Sequence, residues 1–102
     1  MRQEQSAKAG PDIKSGEGIW FIYLIRCNNG ALYTGITTDV DRRFAAHQSG
    51  KGAKYLRGKA PLTLAFRQRI GSHSAALVAE ASIKKLSKTE KEAIIGSGWE
   101  LK

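Results

Sequence analysis

Five side chains, Tyr23, Tyr33, Arg43, His47 and Glu80, bring reactive groups at an informative spacing. Nine residues separate the two tyrosines, nine more separate Tyr33 from Arg43, and three separate Arg43 from His47. A carboxylate, a guanidinium, an imidazole and two phenols together suffice to cleave a phosphodiester. That reaction needs an activated water in line with the leaving oxygen and positive charge on the crowded phosphate. Each group alone has a plainer reading. Tyrosines in strands usually pack, and Glu80 with Lys84 is an ordinary surface pair one helical turn apart. Arg43 could pair with Asp39 one turn earlier, and His47 could be a cation at a helix C-terminus. The chemistry therefore depends on whether the fold gathers the five.

The elements that must position them begin with residues 19–27, IWFIYLIRC, which are apolar on both faces and suit a strand in the middle of a covered sheet. A second strand, ALYTGIT, spans 31–37, and Asn28-Asn29-Gly30 joins the two. The turn decides the tyrosines' fate. A two-residue turn at Asn29-Gly30 pairs Arg26 with Tyr33 and puts the tyrosines on opposite faces. A three-residue loop with Gly30 as a bulge pairs Ile25 with Tyr33 and Tyr23 with Gly35, so both rings share one face. The three-residue loop is expected, with Gly35 leaving room beside the Tyr23 phenol.

Thr38 with Asp41 reads as a capping box opening a helix that runs to about Ser49. On it Val40 and Phe44 mark the core stripe; at ~100° per residue Arg43 and His47 fall at its edge while Arg42 points away, making Arg43 the expected buried-edge arginine. Residues 50–61, GKGAKYLRGKAP, read as a basic loop without regular structure, and LTLAFRQRI, 62–70, as a third strand. A second helix is expected over 74–86, with Ala76, Ala79, Ile83 and Leu86 inward and Glu80 at the stripe's border. Ser87 and Glu90 form a capping box for a short helix, 88–95, that Gly96 would end. Trp20, Phe21 and Phe66 are expected in the core, Cys27 as a small buried group, and His73 has no assigned role. The fold class is mixed α/β: a small three-stranded antiparallel sheet flanked by helices, in the order ββαβαα.

The chain has 102 residues, 41% hydrophobic and 25% charged, which fits one domain over 19–102 behind a flexible polar tail at 1–18. The tail's three basic and three acidic residues cancel, so the net charge of +8 falls entirely on the domain. An excess of that sign attracts a polyanion by counterion release, and nucleic acid is the partner to consider first. No apolar run approaches membrane-spanning length, the first residues lack a secretory core, and a single cysteine forms no internal disulfide, which together point to the cytoplasm and to no membrane partner. No obligate protein partner is predicted.

"FIY" at 21–23, "YTG" at 33–35, "RRFAAH" at 42–47 and the glutamate at 80 resemble the motif series of the GIY-YIG nucleases, most closely their small stand-alone bacterial branch. The resemblance covers residues 19 to about 95. Phe21 stands at the name motif's first glycine and Thr34 at its second isoleucine; neither change removes a polar group. The resemblance implies a DNA endonuclease that uses Mg²⁺ or another divalent cation and acts in repair or recombination at branched, nicked or single-stranded sites. RNA stays open as a substrate.

Position by position, the resemblance implies Tyr23 and Tyr33 as the paired tyrosines, Arg43 on the phosphate, His47 one turn later, and Glu80 as metal ligand. Tyr23 or His47 would take the water's proton. Free tyrosine titrates near ~10 and histidine near ~6.5, so the residue types leave the base open, while the resemblance favours Tyr23. Lys51, Lys54, Arg57 and Lys59, interleaved with Tyr55, fit a loop that tracks a nucleic-acid backbone and stacks on an unpaired base. The alternative from another class is a non-catalytic nucleic-acid-binding module, or a partner in a repair complex, that keeps the fold.

Overall fold

The computed structural model describes residues 18–100. Apart from Gly18, the tail expected at 1–18 lies outside the described residues. Strand β1 (Trp20–Arg26) pairs antiparallel with both β2 (Leu32–Thr37) and β3 (Thr63–Gly71), giving a three-stranded sheet in the order β2-β1-β3. Helix α1 (Val40–Gln48) follows β2, and α2 (His73–Lys84) and α3 (Lys88–Ser97) close the chain. The ββαβαα order and mixed α/β class are those expected.

β1 has no polar face because it is covered on both sides. Ile22 and Leu24 pack with Ala79 and Ile83 of α2 and Ile94 of α3. Tyr23 and Ile25, the alternate residues, pack with Val40 of α1 and with Leu56 and Leu62. Burying each large aliphatic side chain contributes about 1.5–3 kcal/mol before the entropy of ordering it is subtracted. The end of β1 is tied to α3 by a bidentate contact from Arg26 to Glu92 at 2.7 and 2.8 Å.

The hairpin loop has the three-residue form. The Cys27 N–H donates to the Ala31 carbonyl and the Gly30 N–H to that of Cys27, with Gly30 at φ 87°. Ile25 therefore faces Tyr33, and Tyr23 faces Gly35.

Several local expectations need correction. The α1 cap is Asp39, whose carboxylate accepts the Arg42 N–H, and not Thr38: Asp39 itself has the extended backbone that the capping position requires. Helix α3 does carry the Ser87–Glu90 capping box, but it runs through Gly96 and stops at Gly98, where φ turns positive. One glycine in a helix costs only about 1 kcal/mol, so Gly96 alone does not stop it. The basic loop is not wholly irregular: Lys54–Leu56 forms a 3₁₀ turn that drives Leu56 into the core. Phe21 and Phe66 are half-buried against the two cores rather than inside them, and Trp20, also half-buried, has its ring centroid 4.3 Å from that of His73, with the planes tilted by 36°. Cys27 is buried as expected. No helix among the described residues is long and apolar enough to cross a membrane.

Candidate active site

Tyr23, Tyr33 and His47 meet above the sheet. The tyrosine ring centroids lie 6.5 Å apart, and His47 is 6.0 Å from Tyr23 and 5.7 Å from Tyr33. Tyr23 comes from the central strand and is 2% exposed. Its ring fits only because its partner is Gly35: a Cβ added there would overlap the Tyr23 hydroxyl.

His47 lies deeper than the edge position expected of it, at 2% exposure. The loop after α1 closes over it. The Ala53 N–H donates to Nδ1 at 3.0 Å, and Gly52 passes so near the ring that a Cβ would collide with it. Nε2 lies 2.9 Å from the Tyr23 hydroxyl. A peptide N–H only donates, so Nδ1 is the acceptor and the proton of the neutral ring sits on Nε2, which donates to Tyr23. Burial first, then the charge of Arg43, push the His47 pKa down to about 4, so the ring is neutral at pH 7.

Burial, reinforced by Tyr33, pushes the Tyr23 hydroxyl up to about 12. Arg43 opposes the shift with its charge and a hydrogen bond, while the charge of Glu80 adds to it. Both groups therefore act on the Tyr23 oxygen. Arg43 itself is exposed, not buried at the helix edge; a guanidinium keeps its full hydration unless a partner replaces it, and its long stem lets the head reach the site from outside. Among the described residues it forms no ion pair with Asp39, which is occupied in capping.

Glu80 projects from α2 with 22% of its side chain exposed, and its Oε2 lies 3.5 Å from the Lys84 Nζ. The plain surface pair and the site position thus coexist. Among the described residues no three His, Cys, Asp or Glu side chains cluster. Mg²⁺ is held by one or two carboxylates and keeps several waters, so a single half-buried carboxylate that a phosphate can approach fits it.

The basic loop docks against this assembly. Tyr55 stacks on Tyr33 at 5.9 Å with planes 20° apart, and the Lys59 ammonium lies 4.5 Å from the Tyr55 ring centre. Tyr55 is thus engaged on a ring of the site while also lining the open cleft beside it. Lys51, Lys54 and Arg57 are exposed around it.

Sequence reasoning missed Gly52 and Ala53, which act through backbone and carry no side-chain signal. It also missed Lys91, which joins Lys84, Tyr33 and Tyr55 around an open cleft on the β2 edge. Thr34, also at that cleft, has a buried hydroxyl with no hydrogen-bond partner among the described residues.

The GIY-YIG catalytic domain matches residues 19–93. The UPF0213 protein YhbQ of Escherichia coli O127:H6 is 58% identical over 79 residues, covering 78% of this chain and 79% of that protein. A UPF0213 protein of Cronobacter sakazakii is 63% identical over 76 residues, covering 74% and 80%. Among solved structures, the chain is similar to the solution structure of EF2693 from E. faecalis, with a TM-score of 0.57, 33% identity and coverage of 80% and 88%. The UPF0213 protein BH0048 from Bacillus halodurans gives a TM-score of 0.51 at 42% identity, covering 76% and 83%. With the domain matching residues 19–93, most of this chain, and the paired tyrosines on one face of the hairpin, the chain belongs to the GIY-YIG superfamily of nucleases.

Proposed function

We propose that the protein is a divalent-metal-dependent endonuclease that hydrolyses DNA phosphodiester bonds, acting in the cytoplasm on branched, nicked or single-stranded substrates in repair or recombination. The observation that carries this reading is the Tyr23 hydroxyl held between a neutral imidazole that donates to it and a guanidinium. Packing alone does not require such an arrangement.

In this reading Tyr23 first loses its own hydroxyl proton to solvent, and the resulting phenolate takes the proton of the attacking water. His47 has no lone pair to spare, because Nδ1 is engaged by Ala53 and Nε2 carries the ring proton. It holds the Tyr23 oxygen in place and stabilises the phenolate that exists before the water's proton arrives. Arg43 donates its fork of N–H groups to the phosphate and spreads the charge developing there. Tyr33, on the adjacent strand, orients the water. Glu80 would hold Mg²⁺, which when bound supplies Lewis-acid charge on the phosphate and lowers the pKa of groups beside it. Lys51, Lys54, Arg57 and Lys59 follow the substrate backbone by charge.

The test is incubation of labelled duplex, single-stranded and branched DNA and RNA with Mg²⁺ or EDTA, beside Arg43→Ala and Glu80→Gln. The expected result is metal-dependent cleavage reduced about 10²- to 10³-fold by Arg43→Ala, the usual cost of losing a group that stabilises transition-state charge. Binding without cleavage under every condition would reject the enzyme in favour of a nucleic-acid-binding module.

A further inference from the structure

The cleft on the β2 edge borders the site through Tyr33 and Tyr55, but the roles assigned above give it no occupant. It is open, has a volume of about 290 Å³, and is lined by Leu32, Tyr33, Thr34, Tyr55, Lys84 and Lys91. Its two kinds of wall are segregated by element. Strand β2 and the basic loop supply Leu32 and the stacked rings of Tyr33 and Tyr55, while α2 and α3 supply the lysines.

Lys84 links this cleft to the candidate metal ligand. Its ammonium lies 3.5 Å from Glu80 Oε2, yet 56% of its side chain is exposed. An ammonium has three N–H donors, so one contact to Glu80 leaves others for a second anion. Whatever occupies the cleft is therefore next to whatever Glu80 holds.

We propose, resting on the nuclease reading, that this cleft takes one unpaired nucleotide flanking the scissile phosphate, with its phosphate on Lys84 and Lys91 and its base against Leu32, Tyr33 and Tyr55. The substrate class is then single-stranded nucleic acid, or a flap or frayed end that supplies a single strand at the cut.

Two observations favour an unpaired nucleotide over a duplex. A duplex presents phosphates and sugars outward, which would use the lysines and leave the apolar wall idle. Unpaired nucleotides use both, since single-strand sites combine backbone cations with aromatic contacts to bases. The volume agrees: about 300 Å³ is the lower end of small-ligand clefts, enough for one nucleotide and far short of a helix.

The experiment measures fluorescence anisotropy of a labelled single strand and of the matching blunt duplex in EDTA, with wild type and Lys84→Gln/Lys91→Gln. Circular dichroism melting of each protein establishes that the variant is folded. Wild type is expected to bind the single strand about tenfold more tightly than the duplex, a preference one base contact is enough to give. The double variant should lose most of that preference, and its single-strand salt slope should be shallower by about 0.7, the value for the one phosphate it no longer neutralises. Equal wild-type affinity for strand and duplex, or unchanged single-strand affinity in a folded variant, would overturn the subsite. Cleavage is scored separately. A wild type that cuts while the variant binds normally rejects the subsite and leaves the nuclease intact; lysine-dependent strand binding by a protein that cuts nothing rejects the nuclease and supports the subsite.

Discussion

The two faces of β1 are built from alternate residues of one strand and do opposite things. Ile22 and Leu24 enter a cluster of aliphatic and aromatic packing under α2 and α3. Tyr23, between them in sequence, enters one in which a phenol and an imidazole are buried and hydrogen-bonded to each other. The first face holds the molecule together and tolerates no voids. The second holds polar groups that are safe only while each keeps its partner. Stability and chemistry are thus divided across the thickness of a single sheet.

The sharpest way to separate the faces is Tyr23→Phe beside Leu24→Ala. Loss of the Tyr23 hydroxyl should lower the cleavage rate about 10²- to 10⁴-fold, the span typical of a removed acid–base group. In wild type the same role predicts a kcat/KM that climbs about tenfold per pH unit between pH 7 and 9, since a hydroxyl at about 12 is mostly protonated there. A flat profile would take the base role from Tyr23.

Leu24→Ala acts on the other face, where the side chain is fully buried. It should cost about 2–5 kcal/mol of stability. Each kcal/mol lowers Tm by about 4–8 °C in a domain this small. The folded fraction should cleave at the wild-type rate, and a rate loss as deep as that of Tyr23→Phe would break the division.

A third effect concerns acid. The unfolded chain titrates His47 near ~6.5 and the folded chain only at about 4, so between these values the unfolded state binds more protons and stability falls as pH drops. Melting temperatures should decline from pH 7 to 4, less steeply in His47→Gln. An identical decline in the variant would assign the acid sensitivity to other groups.

The smallest effect is expected on the aliphatic side. The Thr34 hydroxyl is buried and unpartnered among the described residues. Thr34→Val should raise stability by about 1 kcal/mol, read by denaturant titration, because an unsatisfied buried hydroxyl carries its desolvation cost uncompensated.

How much of this was legible in the sequence depends on what carried the information. The β1–β2 register was legible because Gly30, the last of three loop residues, suits the bulged loop better than a two-residue turn, and of the two pairings only that one puts Tyr23 and Tyr33 together. The placement of Glu80 on the border of α2 was legible from helical period. The depth of His47 was not. Helical spacing put it at an edge, and a segment outside the helix, Gly52 and Ala53, buried it. The same loop hid its own core residue, since a composition of glycine and lysine gives no sign that Leu56 turns inward. Thr38 outranked Asp39 as a cap only on the pattern of a box, and backbone conformation decided otherwise.

The hydrogen bond from Ala53 to His47 makes the imidazole a latch for the loop that carries the basic residues. Protonating Nδ1 turns the acceptor into a donor, so two N–H groups would face each other and the loop would be pushed away from the sheet. The exchange rate of one backbone amide, that of Ala53, would then report whether the basic loop is fastened, without substrate, metal or any turnover.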